Sequence, residues 1–191
     1  MTDIYLVRHG QTEWNASGRF QGQLDSSLTE LGILQARMIG YHLSRLDVEF
    51  DRVLVSPLGR CQQTVSEIRK CGVFPEPEPD ECLAEVSLGS WDGLTNFDIV
   101  NQSPDLLEGT SAFDWYFRSP DGESYEAAYA RASKWLDKQS GTVLAVSHGL
   151  VGRLIRGAYL GLTQVETLSL PVPQDIVWHL SNGEIGAMTV V

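Results

Sequence analysis

Five side chains have the types and the placing of a phosphoryl-transfer site. Arg8 and His9 stand together ahead of Gly10, and Arg60 follows Ser56-Pro57-Leu58-Gly59. Glu85 precedes a glycine-bounded loop, and His148 stands ahead of Gly149. Two guanidinium forks can neutralise a dianion and match its oxygens. Positive charge beside an imidazole disfavours its protonation, so His9 is expected to be neutral. A neutral imidazole can attack phosphorus and form a phosphohistidine, dividing hydrolysis into two easier steps. Arg8, Arg60, His148 and the Asn15 amide would hold the equatorial oxygens as charge spreads over them. Glu85 would protonate the leaving oxygen and then activate water.

Taken singly, Arg8 and Glu85 read equally as a buried ion pair and His9 as a satisfied core histidine. A His9-His148-Glu85 set also matches a zinc hydrolase, although adjacent arginines repel a cation. A non-catalytic module that binds phosphorylated ligands is a third reading. It needs neither a nucleophile nor an acid, and both are present here.

These side chains act together only if strand ends deliver them to one edge. Short apolar runs at 4–7, 52–55 and 142–146 read as buried strands, and each breaks directly into Arg8-His9, Ser56-Pro57 or His148-Gly149. In open α/β sheets ligands bind at that carboxyl edge. Ser56 as N-cap with Pro57 at the first helical position puts Arg60 in the first turn of a helix reaching about Lys70, with Thr64 on the same face. First-turn amides of this helix, and of the one after His148, would add anion donors. Residues 27–30 have capping-box spacing, with Thr29 as an alternative cap, before a helix with Leu31, Leu34, Met38 and Tyr41 at helical intervals. Residues 11–26 read as a long loop, and three prolines exclude helix interior from 73–80.

From about 87 to 120 the chain reads as an insertion covering the site, with aromatics that include Phe97, Phe113, Trp115 and Tyr116. Trp91, Phe97, Trp115 and Tyr116 are read as packing, and Gly22, Gly89 and Gly93 as turn residues. Tyr125, Ala128, Ala132 and Trp135 line one helix, and Leu150, Leu154 and Ala158 another that stops at Gly161. Asn182-Gly183 joins a terminal hairpin. His42 and His179 are read as structural. The pattern is one α/β domain over 1–191, mostly parallel with an antiparallel element.

A net charge of −11 opposes nucleic acid or an anionic membrane as partner. Cys61, Cys71 and Cys82 lack disulfide or metal spacing, and Met1-Thr2-Asp3 lacks the basic start of a signal peptide, so a cytoplasmic protein is expected.

The ordered motifs resemble the histidine phosphatase superfamily, which includes the cofactor-dependent phosphoglycerate mutases. They are Leu6-Val7-Arg8-His9-Gly10-Gln11-Thr12 with Trp14-Asn15, Phe20-Gln21-Gly22, Leu28-Thr29, Ser56-Pro57 through Arg60 and Thr64, Leu83 with Glu85, Gly89 to Gly93, Pro120 to Ser124, and Val146-Ser147-His148-Gly149. The resemblance implies a phosphoglycerate mutase-like three-layer αβα sandwich on a six-stranded mixed sheet. It implies His9 as nucleophile, Arg8, Arg60 and His148 as phosphate ligands, and Glu85 as proton donor. Asn15, Gln21, Gly22 and the Gly149 amide become secondary contacts, and neither metal nor cofactor is required.

Val86-Ser87-Leu88-Gly89 after Glu85 resembles the phosphatase branch, in place of the Glu-Arg-His-Tyr-Gly type segment and longer insertion of the mutases. A phosphatase acting on a small phosphorylated metabolite is therefore expected, with mutase-type phosphotransfer as the alternative. Arg19 and Arg118 are the only basic residues of 11–26 and 94–119, which favours a monophosphate. Gln174-Asp175 stands where relatives often place an asparagine near the phosphate pocket, and the sequence assigns it no role.

Overall fold

Alternation along the buried strands decides the architecture. In the computed structural model, which describes residues 2–111 and 114–190, β1 (Thr2–Arg8) turns Ile4 and Leu6 to one face and Tyr5 and Val7 to the other. Phe113 lies outside the described residues, as does Met1. Successive strand side chains point to opposite faces, so a strand apolar at every position must be covered twice.

The chain continues through α1 (Glu13–Ala16), α2 (Glu30–Leu43), β2 (Arg52–Val55), α3 (Gly59–Arg69), β3 (Pro77–Pro79) and α4 (Asn96–Gln102). It ends with α5 (Tyr125–Asp137), β4 (Gly141–Ser147), α6 (Gly149–Leu160), α7 (Gln164–Ser169), β5 (Ile176–Ser181) and β6 (Glu184–Thr189). A six-stranded mixed sheet forms in the order β3-β2-β4-β1-β5-β6. The first four of these run parallel, and β5 pairs antiparallel with both β1 and β6. Leu54, Val143 and Ala145 pack with α5, α6 and α7 on one side, while Val53, Val55, Leu144 and Val146 pack with α2 and α3 on the other.

The register levels the site residues. Arg8 is opposite Ser147 and Val55 opposite Val146, so His9, Ser56 and His148 leave three adjacent strands side by side. Helices α2 and α3, after β1 and β2, cover one face, and α6, after the intervening β4, covers the other. A crevice opens where connections diverge in this way.

Several local expectations are corrected. Ser56 is not an N-cap: α3 begins at Gly59 behind an extended Leu58, and the Asp25 carboxylate from the long loop accepts from the Gly59 and Arg60 amides at 2.7 and 3.2 Å. The stripe Leu31, Leu34, Tyr41 of α2 is exposed, and Gly32, Ala36, Ile39, Gly40 and Leu43 are buried instead. Close backbone approach explains the reversal, because a methyl on Gly40 would overlap the Ile68 carbonyl and one on Gly32 that of Gln11. The long loop holds one helical turn, α1, closed by a Thr12–Asn15 capping box. The proline-rich stretch forms β3 at the sheet edge, where missing N–H donors are tolerated. Helix α7 was not foreseen, whereas the Asn182-Gly183 turn has the positive φ values a tight hairpin requires.

Gly32→Ala should destabilise the fold by about 1–3 kcal/mol, since backbone rather than a flexible side chain must move. Urea denaturation measures this, and an unchanged midpoint would contradict the close approach of α2 to the loop after β1.

Candidate active site

The nucleophile candidate is built by its own backbone. His9 leaves β1 with its amide donating to the Ser147 carbonyl at 2.9 Å, and its ring is buried. Nδ1 lies 2.8 Å from the Gly10 carbonyl oxygen. A carbonyl only accepts, so Nδ1 carries the ring proton and Nε2 keeps its lone pair. The Gly10 amide donates to Thr64 Oγ1 at 3.1 Å, and that hydroxyl donates to the Arg60 carbonyl at 2.8 Å. Burial, then Arg8 and Arg60, holds the His9 pKa well below the usual histidine value. The ring is neutral.

Around His9 lies a cavity of about 330 Å³ whose walls include Arg8, Asn15, Gln21, Gly22, Arg60, Glu85 and Gly149. Its size suits a small metabolite. Arg8 Nη1 donates to the Val172 carbonyl, while its buried Nε has no protein partner. Burial lowers the Arg8 pKa and the Glu85 charge opposes that shift, but a guanidinium remains charged. Gly149, the first residue of α6, packs beside the same guanidinium; a Cβ there would sit 3.5 Å from Nε.

Arg60 is only 1% exposed and is almost fully engaged. Nη1 donates to the Leu24 carbonyl at 2.6 Å and to Asp25 at 2.8 Å, and Nη2 to the Gly22 carbonyl at 2.8 Å. Nε donates to His148 Nδ1 at 3.1 Å. Nδ1 is then an acceptor, and the ring proton sits on Nε2, 2.7 Å from Ser56 Oγ. His148 therefore reaches the His9 ring, at 5.3 Å between centroids, but both its nitrogens have protein partners. Burial, then Arg60 and His9, keeps its pKa far below the usual value. Cys61 packs on this ring with Sγ 3.4 Å from Nε2, and burial pushes the thiol pKa up.

Glu85 occupies the start of α6. Its Oε2 accepts from Leu150 at 3.2 Å and its Oε1 from Val151 at 3.1 Å and Val86 at 3.0 Å. Arg131 steadies the approach, donating to the Cys82 and Ala84 carbonyls at 2.8 Å and forking onto Glu123. The first-turn amides expected to cradle an anion are thus taken: Asp25 holds those of α3, and Glu85 those at Leu150 and Val151. An anion held at this edge would draw its donors from side chains and from the Gly149 amide.

Asn15 Oδ1 accepts from the Thr12 amide at 3.2 Å and from Gln174 Nε2 at 3.1 Å, which turns its NH₂ group to the cavity. Gln21 Oε1 accepts from Ser26 at 2.9 Å, leaving its amide nitrogen as the donor. Gly22 has φ +49°, and a side chain there would overlap the Asp92 carboxylate. That carboxylate, its pKa raised by burial, accepts from Gln23 at 3.1 Å and Leu88 at 2.9 Å, tying the loop to the insertion.

From 87–120, Leu88 and Tyr116 line the cavity wall, with Trp115 stacked on Tyr116 at 4.0 Å and edge-on to Phe20 at 4.7 Å. Trp91 is buried behind them, and Phe97 is exposed. His179 stacks on Tyr5 at 4.4 Å and pairs with Asp3, and half-buried His42 lies away from the cavity.

Arg153 on the wall was missed, although it follows Gly149 by one helical turn and shares its face. Asp25 has no local signal, and Gln174 is marked only by the resemblance, which gives it no role. Among the described residues no three His, Cys, Asp or Glu side chains converge in a metal-binding arrangement.

Residues 4–182 match the profile of the histidine phosphatase superfamily (branch 1). A Yersinia pestis protein named probable phosphoglycerate mutase GpmB is 34% identical over 175 residues, 85% of this chain and 76% of that protein. The solved structure of Bacillus stearothermophilus YhfR superposes with a TM-score of 0.82 at 28% identity, covering 99% of this chain and 96% of its own. The α-ribazole phosphatase of Shigella flexneri gives 0.82 at 25% identity, covering 98% and 95%.

Neutral His9 and His148 link stability to pH with a definite sign. Below about pH 6.5 the unfolded chain protonates both imidazoles and the folded protein does not. Stability is therefore full above that pH and falls as pH drops, by about 1.4 kcal/mol per unit for each ring. Urea midpoints against pH test this, and His9→Gln should remove one proton's worth of the slope. A flat profile would contradict the neutral pair.

Proposed function

The chain belongs to the histidine phosphatase superfamily, and from that premise we propose that it is a metal-independent phosphomonoesterase working through phospho-His9. The observation that carries this reading is the His9 ring: neutral, with Nδ1 tied to Gly10 and Nε2 beside a cavity walled by Arg8, Arg60 and Glu85.

Nε2 attacks phosphorus as the ester P–O bond breaks, and the leaving oxygen takes a proton from Glu85. The anchored Nδ1–H prevents the ring from rotating and shares the positive charge it gains. The Arg8 guanidinium, the remaining Arg60 proton, Asn15 NH₂ and the Gly149 amide hold the equatorial oxygens, with Gln21 and Gly22 shaping the near wall. His148 acts on the phosphoryl group through Arg60, whose Nε it accepts. In the second step the Glu85 carboxylate takes a proton from water, the water oxygen bonds phosphorus, and the P–N electrons return to Nε2.

Hydrolysis is preferred to transfer to a second substrate on the Val86-Ser87-Leu88-Gly89 segment after Glu85, of which Val86 and Leu88 line the cavity. Mutase activity is the second reading, supported by the name of the Yersinia relative. The substrate is a small phosphorylated metabolite, and the names of relatives suggest α-ribazole phosphate and phosphoglycerates for the first assays. The net charge of −11 argues against nucleic acid and anionic membranes as partners, and no described helix is long and apolar enough to cross a membrane. Three unbridged cysteines are consistent with a cytoplasmic setting.

Glu85→Gln should cut kcat/KM for alkyl phosphates by about 10²–10⁴ while costing aryl phosphates less than about tenfold, because good leaving groups need no proton. Equal losses would remove Glu85 from the acid role. A labelled phosphoglycerate should release inorganic phosphate, and label appearing mainly in the isomeric phosphoglycerate would favour the mutase.

A further inference from the structure

Residues 170–174, Leu-Pro-Val-Pro-Gln, cross between α7 and β5 as a strap over the site. Three successive carbonyls each accept from an arginine: Leu170 from Arg153, Pro171 from Arg156 and Val172 from Arg8. Two prolines fix their own φ angles, and β5 pairs with β1 directly after the strap, so its position is set from both sides. At its end the Gln174 amide nitrogen lies 3.1 Å from the His9 carbonyl oxygen and 3.1 Å from Asn15 Oδ1.

We propose that Gln174 is a positioning residue for the phosphoryl site, spending both protons of its amide nitrogen to fix the His9 backbone and the orientation of the Asn15 amide. This role presupposes His9 as the nucleophile. An asparagine amide has two nearly equivalent orientations of opposite effect. With Oδ1 held by Thr12 and Gln174, Asn15 offers its NH₂ group to the phosphoryl oxygens. Flipped, it would place a carbonyl against an anion. The second proton acts on the other reacting partner, since the His9 carbonyl lies on the backbone that carries the attacking ring. Gln174 touches neither ring nor phosphoryl group, and its effect passes through Asn15 and His9.

The test uses the whole enzyme with para-nitrophenyl phosphate. Gln174→Met keeps the length and bulk without a donor and should lower kcat/KM about tenfold, the scale of one lost hydrogen bond that supports the transition state. In an Asn15→Ala background the same change should cost less than about threefold, because the group it orients is gone. Gln174→Glu puts a carboxylate against two acceptors, so its activity relative to wild type should be lowest near neutral pH. It should recover as acid protonates Glu and restores one donor. The ratio for Gln174→Met should stay flat. Equal thermal midpoints for the variants would show that the losses are local.

A Gln174→Met rate within twofold of wild type, fully additive losses with Asn15→Ala, or a flat Gln174→Glu ratio would overturn the role. Those results with His9→Ala inactive would overturn the role of Gln174 alone. Turnover by His9→Ala would overturn the reading of the nucleophile.

Discussion

A guanidinium buried as deeply as that of Arg60 is tolerated only if nearly every N–H finds an acceptor, because desolvating an unpaired charge costs several kcal/mol. Much of the site follows from meeting that demand. The long loop folds back so that the Gly22 and Leu24 carbonyls and the Asp25 carboxylate face the guanidinium. His148 must supply a lone pair at Nδ1, which sets its tautomer and sends its proton towards Ser56. The resulting positive field, together with Arg8, reinforces the burial that keeps His9 unprotonated. Charge burial thus leaves His9 a neutral ring with its Nε2 lone pair free, as the proposed nucleophile requires.

The two carboxylates nearest the site do different work. Asp25 caps the start of α3 and pairs with Arg60 at once, joining the long loop to the second strand-helix unit. Glu85 takes amides of α6 and so stands across the cavity on an element rooted in the same sheet edge. The insertion is attached separately, through the Asp92 carboxylate and the Phe20–Trp115–Tyr116 aromatic group. Leu88 and Tyr116 bring apolar surface to the cavity wall.

Legibility in the sequence followed the range of the interactions. The strands at 4–7, 52–55 and 142–146 are readable because each is a short apolar run that breaks directly into Arg8-His9, Ser56-Pro57 or Ser147-His148-Gly149, and their parallel register then brings Arg8, His9, Arg60 and His148 together. Helix α2 was readable as a helix but not in its buried face. Its contact is made by glycine and alanine, where backbone approach outweighs side-chain hydrophobicity. Ser56 looked like a cap because its local pattern is one, yet Asp25, 34 residues before Gly59, takes the amides. Gln174 reaches His9 across 165 residues; the resemblance marks its position, but its neighbours do not specify the contact. Such contacts depend on the whole fold.

The central claim is chemical: His9 attacks through Nε2 while Gly10 holds the proton on Nδ1. Phosphorus NMR of enzyme quenched in base during turnover, with ¹⁵N-labelled histidine, reads the bonded nitrogen from its coupling. One phosphoryl group on Nε2 of His9, absent in His9→Ala, is the predicted result. Phosphorylation at Nδ1, at another residue, or not at all during turnover would contradict the account.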